Sequence, residues 1–543
     1  MSSTRAHERL PPSAETALAR AAGTVLPADA CEHAARLLPR LHEVRAALDD
    51  AAWRWVAIAC EAKGIAVDSP LAAEEFATGP CAVARSLACW ERSLRAVRAG
   101  RLPRIPGRVR EHPRGRLVPA MPFLPFDRVA FAGHRAAVLV DREGPLQALR
   151  DARRGVALVL GAGNVTSIPI ADLLTKLCGE RLPVVVKLHP LHAGLHELFA
   201  SVFAPLAEFG CSFLCEGGEL GAALALDPRV TDVHLTGSPA TFRRLAEANA
   251  ARAEPARLSA ELGNVTPVIV VPGPWRDAEL HARVDDVSAM LSNNGGFNCA
   301  SAKVLVTAAA WPQRREFLAR LRARLATLPA RRAWHPGAVE RAARFAGLAA
   351  REDGSLPCTL IEGVDPASTP LAFREEAFAP LLWETALPGD DVAGFAGRAA
   401  RFCNERLAGD LAAVILAPRH AVRHERAALA GLRDALGYGT VAQNVWAALG
   451  FAWMTTPWGA WRNPAGGLAQ SGRGFVHDPL LLRAPQKTLI TGPVLPWPRP
   501  AWWPGHRAPL PVMRRLFELT QHPSAWRLLR LALAASVGGT PGR

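Results

Sequence analysis

The chain has 543 residues, half of them apolar and 21% charged, a balance that excludes a disordered or fibrous chain and calls for more than one core. A formal net charge of +15 and a pI near 10.2 would by themselves suggest nucleic acid, but only five of the 64 basic residues are Lys and the Arg are scattered, so no basic stripe forms and no nucleic-acid partner is expected. Ten cysteines without a CxxC pair, no apolar signal core in MSSTRAHERL and no run of eighteen apolar residues predict a reduced, cytoplasmic chain with no metal site and no membrane span.

Residues 1–130 read as an N-terminal helical arm with part of the next lobe, because apolar positions recur at helical spacing in AARLLPRLHEVRAAL and AAWRWVAIACEAKGI. A Pro/Arg-rich stretch breaks that pattern near 102–116, and RAAVLVDREGP reads as a strand ending in a turn. From about 155 the runs VALVLG, PVVVK, DVHLTG and TPVIVVPG alternate with helical stretches such as IADLLTKLCGE, which predicts a parallel α/β sheet. The alternation resumes with KVLVTA, CTLIEG and LAAVIL, implying a second α/β lobe. Residues 496–543 form a basic, amphipathic tail. A helix packed on the body with an Arg-covered outer face is the favoured reading of that tail, and contact with a membrane surface is the alternative.

Four segments offer chemistry. In VALVLGAGNVTS, Gly161 and Gly163 are half of a dinucleotide fingerprint whose third Gly is Thr166. Asn164 could donate its amide to a developing oxyanion, or simply shape a turn. In KLHPLHAGLH, His192 and His196 are four apart, but no acid supports them as metal ligands. In SNNGGFNCASAKVLV, Cys299 follows a loop that two Gly let approach a ligand closely, where a thiol can serve as a nucleophile or be a plain buried Cys. In SAELGNVTPVIVV, Glu261 at a strand boundary is a base or a solvated charge.

Taken in order, these segments resemble the aldehyde dehydrogenase superfamily over about 155–490. Asn164 resembles the family's oxyanion Asn, and Lys187, 23 residues on, its cofactor Lys. Gly237 and Ser238 resemble its TGS turn, and Glu261 the base of its LELGG-type motif. Cys299 resembles its nucleophile, and Glu376 and Phe378 in EEAFAP its EExFxP element. GTVAQN and PWGAWRNPAGGLAQSG resemble later family elements.

The resemblance implies an aldehyde-dehydrogenase-like α/β fold of two doubly wound lobes plus a small β oligomerisation element. The NAD(P)-binding lobe would be 151–260, the catalytic lobe 261–445, and the β element 130–150 with 484–495, pairing between the subunits of a homodimer or homotetramer. It implies oxidation of a small-molecule aldehyde by NAD or NADP through a Cys299 thiohemiacetal and thioester, with an ionised Cys299, an oxyanion site at Asn164 and water activated by Glu261. Lys187, Gly237, Ser238, Glu376 and Phe378 would bind the cofactor. The acid expected three residues after the cofactor Lys is Pro190, so NADP is as open as NAD. Phe242 replaces the second Gly of the pyrophosphate helix start, and about seven extra residues separate PWGA from QSG. A CoA-dependent acyl-CoA reductase is the alternative; relatives of that kind generally lack the base that Glu261 supplies.

Overall fold

Two sheets organise the computed structural model, which describes residues 10–389, 391–462 and 470–538. The first has six strands in the order Gly472–Arg473, Arg257–Glu261, Val230–Thr236, Val156–Leu160, Val184–Lys187, Ser212–Leu214. All neighbours are parallel except the first pair, in which Gly472 lies antiparallel opposite Glu261. Val156–Leu160 and all but the last residue of Val184–Lys187 are apolar because both faces of these strands are covered. Ala157 and Val159 join the core under the long helix Ala30–Lys63, while Val156 and Leu158 join the opposite core with the helix Pro12–Gly23. This is the two-residue period of a strand, with both faces buried.

The second sheet has ten strands. Seven are parallel, in the order Pro485–Thr491, Thr440–Gln443, Ala412–Leu416, Pro267–Val270, Val304–Ala308, Leu381–Leu387, Thr359–Ile361. Arg135–Val140, Gly115–Met121 and Arg110–His112 extend it antiparallel at the Pro485–Thr491 edge.

Three features differ from the sequence reading or refine it. The Pro/Arg-rich break holds the strands Arg110–His112 and Gly115–Met121, inside the stretch read as a helical arm. Pro119 is tolerated there because the register shifts between Pro119 and Met121, a bulge where a missing N–H does least harm. Segments 130–150 and 484–495, expected to form one β element, do pair with each other: Thr488 lies opposite Val138 and, on its other side, opposite Thr440. The chain can pass so close to the start of Thr440–Gln443 because Gly439 has no side chain; a Cβ there would sit 1.9 Å from the Gly459 carbonyl oxygen.

The tail contributes two helices, Pro509–Gln521 and Ala525–Ser536. The first is packed on the body, with Phe517 5.6 Å from Phe76 in an edge-on pair. Arg45 caps its C-terminal end by donating to the Thr520 and Gln521 carbonyls at 2.9 and 2.6 Å.

The chain passes from one sheet to the other through 262–266, directly after Glu261. Asn264 fixes this crossing, donating to the Ala412 carbonyl at 2.9 Å and to Thr266 Oγ1 at 2.8 Å. Glu261 thus sits where the two sheets meet.

Candidate active site

The helix Asp277–Ser292 ends in a turn whose residues Asn294, Gly295 and Gly296 all have left-handed backbone, with φ of 54°, 68° and 79°. A Cβ on Gly296 would lie 2.7 Å from Pro380 Cα, so the loop closes down on the EEAFAP segment only with Gly there. The chain then reaches Cys299 and enters the strand Val304–Ala308. Three donors hold the residues around the sulfur. Thr266 Oγ1 donates to the Cys299 carbonyl at 3.0 Å, Trp446 Nε1 to the Ala300 carbonyl at 2.7 Å, and Lys303 Nζ to the Gly296 and Ala379 carbonyls at 3.1 and 2.8 Å. Cys299 is partly exposed in this rigid frame.

Asn164 follows the strand Val156–Leu160 and reaches the same loop. Its Nδ2 donates one N–H to the Phe297 carbonyl at 3.0 Å, two residues before Cys299. From below, Lys63 at the end of its helix donates to the Asn164 carbonyl at 3.2 Å, to Asn294 Oδ1 at 2.9 Å and to Glu75 at 2.8 Å. Lys63 and Glu75 are both buried, so each needs the other; removing one partner of such a pair costs about 3–5 kcal/mol. Asn294 Nδ2 adds a donor to the Asn164 carbonyl at 3.0 Å.

Glu261 is buried, and its carboxylate and the Cys299 thiol are close enough for each to shift the other's pKa. Burial raises its pKa; the Cys299 thiol and the Trp458 indole, which faces it outside strict hydrogen-bond geometry, act the other way. Burial, then the Glu261 charge, push the Cys299 thiol well above the usual thiol range. That direction runs against the ionised resting sulfur that the resemblance implies. Glu261 and Glu376 oppose ionisation of the sulfur, while the Lys303 charge favours it.

Glu376 is part of the same cluster. Its Oε2 accepts the Asn264 N–H at 3.2 Å, and its charge opposes ionisation of Cys299. Burial raises it to about 7, against the pull of Lys303, which burial lowers to about 8. Phe378, with φ of 43°, has its ring 5.9 Å from Phe297 and 4.9 Å from His335, packed against the nucleophile loop.

The remaining expected residues line the strand ends of the six-stranded sheet. Lys187 closes Val184–Lys187 and is buried, and burial lowers its pKa. The Gly237 N–H donates to the Glu261 carbonyl at 3.0 Å, which joins this edge to the Cys299 cluster. Ser238 caps the helix Pro239–Ala250, its Oγ accepting the Thr241 N–H at 3.1 Å, and leaves an exposed helix N-terminus suited to a phosphate group. The expected residues therefore fall into two adjoining groups: Cys299, Glu261, Asn164 and Glu376 form one cluster, and Lys187, Gly237 and Ser238 form the edge beside it.

Sequence reasoning missed three contributors. Lys63 is one; its signal was the rarity of Lys, since all five lysines are buried. Asp172 is buried in the apolar run IPIADLL, where burial and then the Glu261 charge raise its pKa, and its Oδ1 meets no partner. Glu216 follows the neighbouring strand and is a carboxylate whose charge Lys187 feels. The histidines do not converge. His189 Nδ1 accepts the Leu191 N–H, His192 is buried without a partner and His196 faces the Phe213 carbonyl. Among the described residues no group of three His, Cys, Asp or Glu is placed to hold a metal ion.

Residues 184–346 match the model of the aldehyde dehydrogenase family, a span that includes Lys187, Glu261 and Cys299. Alpha-ketoglutaric semialdehyde dehydrogenase 2 of Azospirillum brasilense is 30% identical over 181 residues, which cover 30% of this chain and 33% of that protein. The matched part thus spans about a third of the curated relative's length. An NAD-dependent aldehyde dehydrogenase of Sinorhizobium meliloti superposes with a TM-score of 0.61 over 89% of this chain and 87% of that one, at 17% identity. Glyceraldehyde-3-phosphate dehydrogenase GapN of Methanocaldococcus jannaschii, solved with NADP, does so with a TM-score of 0.58 over 90% and 96%, at 15% identity. Residues 184–346 thus resemble the aldehyde dehydrogenase family, and the chain as a whole shares the fold of these two solved dehydrogenases.

Proposed function

We propose that the chain oxidises an aldehyde to a carboxylic acid with NAD(P)+, using Cys299 as nucleophile and Glu261 as base. The observation that carries this reading is the Cys299 thiol beside the buried Glu261 carboxylate, on a loop tied to the Asn164 amide. Glu261 takes the thiol proton as the sulfur bonds to the aldehyde carbon. The oxygen that becomes negative is met by the second N–H of the Asn164 amide and by the Cys299 backbone N–H, which among the described residues meets no acceptor beyond its own sulfur. Glu261 then releases this proton to solvent and removes one from water, which attacks the thioester carbon; the carbon–sulfur bond breaks and Glu261 returns that proton to the leaving sulfur, re-forming the thiol.

The cofactor edge fits NAD(P). Lys187 has no ion-pair partner among the described residues, the Ser238-capped helix start is open, and Glu376 keeps a buried Oε1 without a partner. Lys187, Gly237 and Ser238 would hold its phosphate and adenosine side, and Glu376 and Phe378 its nicotinamide side. Bound NAD(P)+ supplies a hydride acceptor for the tetrahedral carbon. We assign the cofactor lobe to 151–260 and the catalytic lobe to 261–445. We assign the subunit contacts of a homodimer or homotetramer to the β element formed by 130–150 with 484–495. Free thiols at all ten cysteines suit a cytoplasmic location.

A panel of aldehydes run with NAD and with NADP tests the proposal, Cys299→Ala being the blank. Aldehyde-dependent NAD(P)H formation in the parent and none in the blank is the expected result; equal rates in both would reject it. Asn164→Ala is expected to lower kcat by roughly 10²–10³ with little change in cofactor KM, as for loss of one oxyanion donor. Glu216→Ala is expected to raise the NADP-to-NAD ratio of kcat/KM by roughly fivefold to tenfold, because a carboxylate beside Lys187 repels a 2′-phosphate. An unchanged ratio would remove Glu216 from the ribose site.

A further inference from the structure

The final helix, Ala525–Ser536, has two apolar faces. Leu528, Leu531 and Ala535 join the core shared with the helix Pro509–Gln521. On the other side Trp526, Leu529, Leu533 and Val537 recur at helical spacing and are 64%, 49%, 56% and 57% exposed. Val129, 57% exposed, lies on the short helix Asp127–Ala130 that this helix touches. Single exposed apolar residues are ordinary; a continuous stripe of them marks an interaction surface.

The rim of the stripe is cationic. Arg527 and Arg530 flank it on the same helix, and Arg514 and Arg515 stand on the neighbouring one. Across 496–538 the one acidic residue is Glu518, already contacted by Arg514, Arg515 and Arg530. A second copy of this chain would bring Arg against Arg with no carboxylate to answer. A bilayer bearing anionic headgroups answers both features, taking the apolar stripe below its phosphates and the Arg among them. The chain's charge of +15 adds a general attraction to such a surface. Among the described residues no helix is long and apolar enough to cross a membrane, which leaves lying on one.

We infer that the outward face of Ala525–Ser536, with Trp526, Leu529, Leu533 and the flanking Arg527 and Arg530, docks the protein on an anionic lipid bilayer. The test is flotation of the full chain with phosphatidylcholine vesicles, with and without phosphatidylglycerol. The expected result is co-flotation with the anionic vesicles, weakened by salt and absent with phosphatidylcholine alone. The Leu529→Glu/Leu533→Glu variant should lose at least about tenfold in partitioning, with melting temperature and dehydrogenase turnover unchanged. Should that variant fold poorly, Trp526→Ser is expected to give a smaller loss in the same direction. No flotation of the parent, equal flotation of the variants, or self-association without lipid that the variants abolish would each overturn the inference.

Discussion

Cys299→Ala is expected to lose aldehyde-dependent NAD(P)H formation by roughly 10⁴-fold or more, the scale at which removing a nucleophile leaves only binding and oxyanion stabilisation. Cofactor binding should persist, because the edge formed by Lys187, Gly237 and Ser238 lies on the other sheet. Equilibrium titration of the variant with NAD or NADP checks this. The effect is large because no other thiol can substitute. Cys403 and Cys178 are buried in cores, and Cys358 and Cys215 have no Glu261 beside them. A variant retaining more than about 1% of the parent rate would show that the reaction does not run through this sulfur.

Glu261→Gln is expected to stop the cycle after the redox step. One equivalent of NAD(P)H per site should appear quickly, and steady turnover should fall by about 10²–10⁴, the usual worth of a general base. The same variant separates hydrolysis from the acyl-CoA alternative. If CoA restores full turnover, the acyl group leaves by transfer to CoA; if added CoA changes nothing, water is the acceptor and Glu261 its base.

The pH dependence follows from the same residues. Burial raises Glu261, so its basic form is lost as pH falls through a pKa above the usual carboxylate range. Glu376, raised to about 7, loses its charge across neutrality. The acid limb of kcat/KM should therefore lie nearer neutrality than an exposed carboxylate would give. With the Cys299 thiol pushed up by burial and the Glu261 charge, its alkylation should keep accelerating through the ordinary thiol range without a plateau.

Much of the site could be read from the sequence because it lies in short motifs at strand ends. Asn164, Lys187, Gly237 and Glu261 each follow or end a β run, and parallel α/β folds gather such positions at one edge. Cys299 stands out for a different reason, the Asn- and Gly-rich loop that leads into its strand. Asp172 was silent because a buried carboxyl inside IPIADLL looks like an interruption of a helix, and its meaning comes only from the charge of Glu261 nearby. The Lys63 network was silent too, since it joins residues more than two hundred positions apart. Rarity was the one available sign: a chain that covers its surface with Arg keeps each Lys for the interior, as with Lys303 under the nucleophile loop. In the fold, Gly115–Met121 was missed because it begins inside the Pro/Arg-rich break at 102–116, while the bulge that accommodates Pro119 is a property of the strand pair. The closure of Pro485–Thr491 onto its own chain depends on the path taken after Thr440–Gln443, which no local pattern specifies.

Mass spectrometry of the Glu261→Gln protein, quenched in acid after one exposure to aldehyde and NAD(P)+, tests the Cys299–Glu261 chemistry most directly. The expected spectrum shows the acyl mass added to the peptide containing Cys299 and to none of the other nine cysteine peptides. An unmodified Cys299 peptide alongside a full burst of NAD(P)H would contradict it.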